Sequence, residues 1–132
     1  MPLKTIITGL VALAIVTASP LARAADATAM VYWAEWCSAC KILDPVLEEA
    51  VNTYDKAEMN IVRLDYTNMT YESLLVEAEK AEALGIADKV ALNDVKTGYA
   101  VIVVDGELKG RVSAGMSVDL MQQVFDAALQ ID

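Results

Sequence analysis

Two thiols, Cys37 and Cys40, sit inside the stretch YWAEWCSACK (Tyr32 to Lys41), and the chain has no other cysteine and no histidine. A pair at that spacing can be a structural staple, half of a metal site, or a redox couple. Zinc takes about four protein ligands in a closed site and about three in a catalytic one. Two thiols without an imidazole fall short of both within one chain, and a copper site relying on imidazole is excluded. A purely structural disulfide fits poorly, because closing so short a loop removes little freedom from the unfolded chain. A redox couple also demands a particular position in the fold, so the surrounding elements decide the matter.

Thr28 to Trp33 is short, apolar and β-compatible, and reads as a buried strand. Behind it, Ser38 to Asp55 carries Ile42, Leu43, Val46, Leu47, Ala50, Val51 and Tyr54 at helical spacing, with Pro45 inside the pattern, where it predicts a kink. Asn60 to Asp65 (NIVRLD) is a second strand, parallel to the first because a helix connects them. Thr70 caps a helix that runs through Leu84 and closes on Gly85. Its acid-rich segment EAEKAEA, Glu77 to Ala83, is expected on the solvated face, with Glu77 and Lys80 giving minor support. Ile86 to Gly98 has no legible pattern. Tyr99 to Val104, the Asp105-Gly106 turn and LKGRVS form a hairpin. Ser117 caps a last amphipathic helix with Leu120, Met121, Val124, Phe125, Ala128 and Leu129 on one face. The order βαβ, α, ββα predicts an α/β domain: a mixed four-stranded sheet with helices on both faces.

The N-terminus has a different character. Lys4 precedes thirteen uncharged residues, Ile6 to Ala18, then Pro20 and the triplet Ala22-Arg23-Ala24. This is the layout of a secretory signal peptide, with an apolar run short of the ~20 residues that span a membrane. Residues 1–24 are therefore expected to be cleaved, leaving a single domain over 25–132 without stable membrane insertion. Export to a periplasm would place the cysteines where disulfides form and persist. The whole chain has formal charge −9, and the leader holds Lys4 and Arg23 but no acid, so the remainder is more acidic still. Such a surface repels nucleic acid and anionic lipid.

With these elements in place, Cys37 falls where a strand ends and a helix begins. There, unpaired backbone N–H groups and the positive end of the helix dipole stabilise a thiolate. Cys40 lies one turn further on the same face, within disulfide reach and less exposed. Cys37 is expected to attack a substrate disulfide and Cys40 to resolve the mixed disulfide.

WAEWCSACK followed by ILDPVLEEAV resembles the active-site strand and kinked helix of the thioredoxins, with Trp33, Ala34, Trp36, both cysteines, Lys41 and Pro45 at matching positions. The stretch VDGELKGRVSAGMS, with Gly106 and Gly115, is similar to that family's closing hairpin. The resemblance covers most of Thr28 to Leu129 and implies the minimal thioredoxin fold without the extra N-terminal strand and helix. It also implies a cofactor-free thiol-disulfide oxidoreductase that acts as a monomer on protein thiols and disulfides, with electrons from a partner dithiol such as a membrane-bound donor. Trp36, Glu35, Lys41 and Arg63 are its auxiliary positions, and Trp36, Thr97 and Gly98 would flank the substrate.

Three departures accompany the match. The family's buried aspartate, six positions before the first cysteine, is replaced by Val31, which leaves Arg63 as a cation without that partner and Glu35 as the nearest acid in sequence. Ser38-Ala39 stands between the cysteines, with no histidine of the strongly oxidising relatives, and Glu35 opposes thiolate formation, which predicts a moderately reducing pair. Thr97-Gly98 occupies the place of the family's cis-proline, and because a cis bond before glycine costs ~2.5–4 kcal/mol, a trans loop is expected. Two other functions stay open: thiolates unshielded by a cis-proline could hold a soft metal or an iron-sulfur cluster across a dimer, and the fold could serve as a non-catalytic interaction domain.

Overall fold

A computed structural model describes residues 25–86 and 96–131. The expected leader over 1–24 and most of the illegible 86–98 stretch lie outside them. The elements are β1 (Ala27–Trp33), α1 (Ser38–Asn52), β2 (Met59–Asp65), α2 (Tyr71–Ala83), β3 (Tyr99–Val104), β4 (Glu107–Ser113) and α3 (Val118–Leu129). They form one mixed sheet in the order β2-β1-β3-β4, with β1 and β2 parallel and the other pairs antiparallel. This is the expected α/β architecture.

Alternation along β1 divides the core. Ala27, Ala29 and Val31 face α1 and α3, where Leu43, Leu47, Ala50, Met121, Phe125 and Ala128 cover them. Met30 and Tyr32 face the other way, among Leu64, Tyr66, Leu74 and Ala81 on the side of α2. A strand buried on both faces reads as a continuous apolar run, which is why its two-residue period is invisible in the sequence. The outer strands are more exposed, and β4 carries Glu107, Lys109 and Arg111, charges that discourage edge-to-edge pairing.

The caps follow local chemistry. Thr70 accepts from the Ser73 amide at 3.2 Å and Ser117 from the Leu120 amide at 3.1 Å, each contributing about 1 kcal/mol. The Asp105-Gly106 turn has positive φ at both residues, 51° and 75°, the twist a two-residue hairpin needs. Helix α1 ends at Asn52 rather than Asp55: beyond the Thr53 cap the Tyr54 amide turns back to the Val51 carbonyl at 3.3 Å, three residues away instead of four, so the α-helical ladder stops.

Three side chains depart from expectation: Ile42 lies outside the buried stripe of α1, which runs through Cys40, Leu43, Leu47 and Ala50, and is exposed. Leu120 is exposed, because the buried stripe of α3 runs through Met121, Phe125 and Ala128, and a residue one step away is turned by about 100°. Glu77 is buried instead of solvated. Its carboxylate accepts the Asp65 amide at the end of β2, 3.0 Å away, and pairs with Lys80 at 2.7 Å. Buried charge is tolerated when it is paired and hydrogen-bonded in this way.

Candidate active site

Cys37 is the N-cap of α1, held there by a turn in which its amide donates to the Ala34 carbonyl at 3.1 Å. Its extended backbone (φ −91°, ψ 105°) turns Sγ back over the helix end, where it accepts the Cys40 amide at 3.2 Å. The first turn of α1 contains no acid, so the positive helix end is not neutralised locally. The two cysteines form a disulfide with their Cα atoms 5.3 Å apart. Cys37 is 7% exposed and Cys40 fully enclosed, so an incoming group reaches the first sulfur before the second.

Below the pair, the Tyr32 carbonyl lies 3.5 Å from Cys40 Sγ and accepts the Gly98 amide at 2.9 Å. Gly98 has φ +94°, and a Cβ there would stand 2.9 Å from the Ala39 Cβ and 3.5 Å from Cys37 Sγ. The chain at 97–98 therefore runs directly against the disulfide. No cis peptide bond occurs among the described residues, so this loop is trans, as expected. Thr97 is half-buried beside it.

The other wall is built by a latch that sequence reasoning missed. After β2, Asp65 accepts from the Thr67 amide at 2.9 Å and from its hydroxyl, fixing a tight turn. Thr67 in turn accepts the Glu35 amide on its hydroxyl at 2.9 Å and the Trp36 indole N–H on its carbonyl at 3.3 Å. Trp36 is thereby held beside the cysteines with 58% of its surface exposed. Aspartate two residues before threonine is a local turn signal that could have flagged this.

Glu35 and Lys41 are exposed. Arg63 is not alone: its guanidinium reaches Glu48 at 2.7 Å and lies 3.5 Å from Asp44, both on α1. Val31, its register partner on β1, is fully buried. Asp44 also escaped the sequence reading, although an acid four residues beyond Cys40 is a visible signal.

Tyr32 stacks on Tyr99 with centroids 4.6 Å apart and on Tyr66 at 6.1 Å, and Arg111 lies 4.1 Å over the Tyr99 ring. Burial, and then Tyr99, pushes the Tyr32 phenol up to about 12, and burial raises Tyr66 as well. These hydroxyls stay protonated at neutral pH and cannot act as bases there. Among the described residues, no group of three or more His, Cys, Asp or Glu side chains is placed to hold a metal, and no helix is long and apolar enough to cross a membrane.

A sequence model of the thioredoxin family matches residues 18–87. The chain is 50% identical over 34 residues to a thioredoxin of Staphylococcus saprophyticus, covering 26% of this chain and 32% of that one. It is 46% identical over 37 residues to thioredoxin C-2 of Corynebacterium nephridii, covering 28% and 33%. A thioredoxin of Staphylococcus haemolyticus is 47% identical over 34 residues, covering 26% and 32%. The matched segments thus span about a third of each relative's length.

Proposed function

The chain belongs to the thioredoxin family, and from that premise we propose that it is an exported thiol-disulfide oxidoreductase which reduces or exchanges disulfides in other exported proteins. The observation that carries this reading is the asymmetry of the pair: Cys37 caps a helix and receives the Cys40 amide, whereas Cys40 is sealed beneath it. Helix-end N–H groups favour thiolate over thiol, so Cys37 is the nucleophile. Its thiolate attacks a substrate disulfide, forms a mixed disulfide and expels one substrate sulfur. Cys40 then loses its proton, attacks Cys37 Sγ and releases the second substrate sulfur. Two electrons pass from the dithiol to the substrate, which gains two thiols, and no cofactor is required.

Trp36 on one side and Thr97-Gly98 on the other flank the sulfur, and an extended substrate chain fits between them through backbone hydrogen bonds. Met69 and Tyr71, which follow the Thr67 latch in the chain, are exposed apolar side chains. The charged-apolar-small order of residues 1–24 supports export to a periplasm, where the protein would act as a monomer and draw electrons from a membrane-bound dithiol. The lack of histidine supports the reducing or exchanging direction, because no imidazolium is present to favour the thiolate further.

Three measurements test the proposal together. Cys37→Ser should abolish insulin reduction, and Cys40→Ser should accumulate a mixed disulfide. Equilibration with glutathione should give a potential nearer the ~−270 mV of reducing family members than the ~−120 mV of strong oxidants. A potential at the oxidising end would reverse the assigned direction, and full activity in Cys37→Ser would remove the mechanism.

A further inference from the structure

Resting on the exchange mechanism just proposed, we infer that Asp44 is the proton acceptor for Cys40. Resolution requires the enclosed Cys40 thiol to lose a proton, and its near neighbour Tyr32 O is a neutral carbonyl that can accept a hydrogen bond but cannot hold the proton. The neighbouring phenols, Tyr32 and Tyr66, are held protonated. Glu35 is exposed on the loop before the cysteines. Asp44 differs in two respects. It follows Cys40 by four residues on α1, which sets the two Cβ atoms about 5–6 Å apart on one helix face. Its Oδ1 is buried, with no hydrogen-bond partner among the described residues.

A buried carboxylate oxygen without a donor is costly and calls for an explanation. Arg63 supplies charge but not that hydrogen bond: its Nε is 3.5 Å from Oδ1, too far for a good one, while its Nη2 is committed to Glu48 at 2.7 Å. The guanidinium therefore steadies Asp44 and leaves Oδ1 open to a proton. Among the described residues, the charged or titratable groups facing Asp44 are Arg63, 3.5 Å away on β2, Asp65 on the same side of that strand by alternation, and Cys40, Lys41 and Glu48 one turn away on α1. Trp33 Nε1, on the adjoining end of β1, is a second buried polar atom without a partner and is not titratable.

The step balances as follows. The Cys40 S–H bond breaks and its proton goes to Asp44, directly or through one water. The new thiolate forms the bond to Cys37 Sγ as the mixed disulfide breaks. The departing substrate thiolate takes up the proton that Asp44 releases, directly or by way of solvent, which returns the carboxylate.

The test uses the reduced full-length protein and dithiobis(nitrobenzoate), an aromatic disulfide that releases a coloured thiolate at each step. In stopped flow, the first phase reports attack by Cys37 and the second reports resolution by Cys40. Asp44→Asn should leave the first phase unchanged and slow the second by about 10-fold or more near neutral pH. The loss should shrink as the pH climbs past the ~8.5 of a free thiol toward the higher value that enclosure gives Cys40, and Asp44→Glu should restore most of the rate. An unchanged second phase, a loss equal at every pH, or a parallel loss in both phases would overturn the assignment. A wild-type protein that releases no second thiolate would instead overturn the exchange reading, and the Asp44 assignment with it.

Discussion

Gly98 shows how a single backbone angle can settle what a residue type leaves open. Proline requires φ near −65°, whereas position 98 has φ +94° and donates its amide to Tyr32, so proline is excluded both by conformation and by the lost donor. Alanine is strained there for two separable reasons, the positive φ and the 2.9 Å approach to the Ala39 Cβ. Gly98→Ala should lower stability by about 1–3 kcal/mol in urea unfolding, and adding Ala39→Gly should recover only the steric part. At this scale the sequence was legible where chemistry is local. The cysteines declare themselves by type, spacing and the strand-helix junction. Asp44 did not, because its surroundings depend on Arg63, nineteen positions away in the chain and brought under α1 only by the register of β2.

Between elements, Glu77 joins α2 to the end of β2 through a buried carboxylate, and that strand end begins the turn that holds Trp36. Glu77→Ala would take the acceptor from the part-buried Asp65 amide, at a cost of about 1 kcal/mol, and should raise amide exchange at Asp65 and Thr67. Glu77→Gln keeps an acceptor and should cost less. Periodicity and caps made each element of the described residues legible from the chain: Thr70, Ser117 and the Asp105-Gly106 turn punctuate it as expected. Periodicity failed for Glu77 because a helical pattern records which residues share a face, and the strand end that meets this face is fixed only by tertiary packing. The closeness of Gly85 to Gly106, where an added Cβ would come within 3.1 Å of backbone, was hidden for the same reason.

Across the whole molecule, the tyrosines make stability depend on alkaline pH. Tyr32 is raised from 10.0 to about 12 by burial and Tyr99, and Tyr66 and Tyr54 are raised too, chiefly by burial. Between pH 10 and 12 the unfolded chain loses the Tyr32 proton while the folded one keeps it. The stability from that group is thus complete below about pH 10 and declines as pH rises toward 12. Urea midpoints should fall over this window, and Tyr32→Phe should flatten the fall. The central place of β1 also gives its last carbonyls an unusual audience. In the disulfide form Cys40 has no hydrogen to offer the Tyr32 oxygen, which accepts the Gly98 amide; reduction adds a thiol donor to the same oxygen. The electron count of the pair is thereby written into the tether of the 97–98 loop, whose acceptor gains a second suitor whenever the pair is reduced and loses it whenever the disulfide closes.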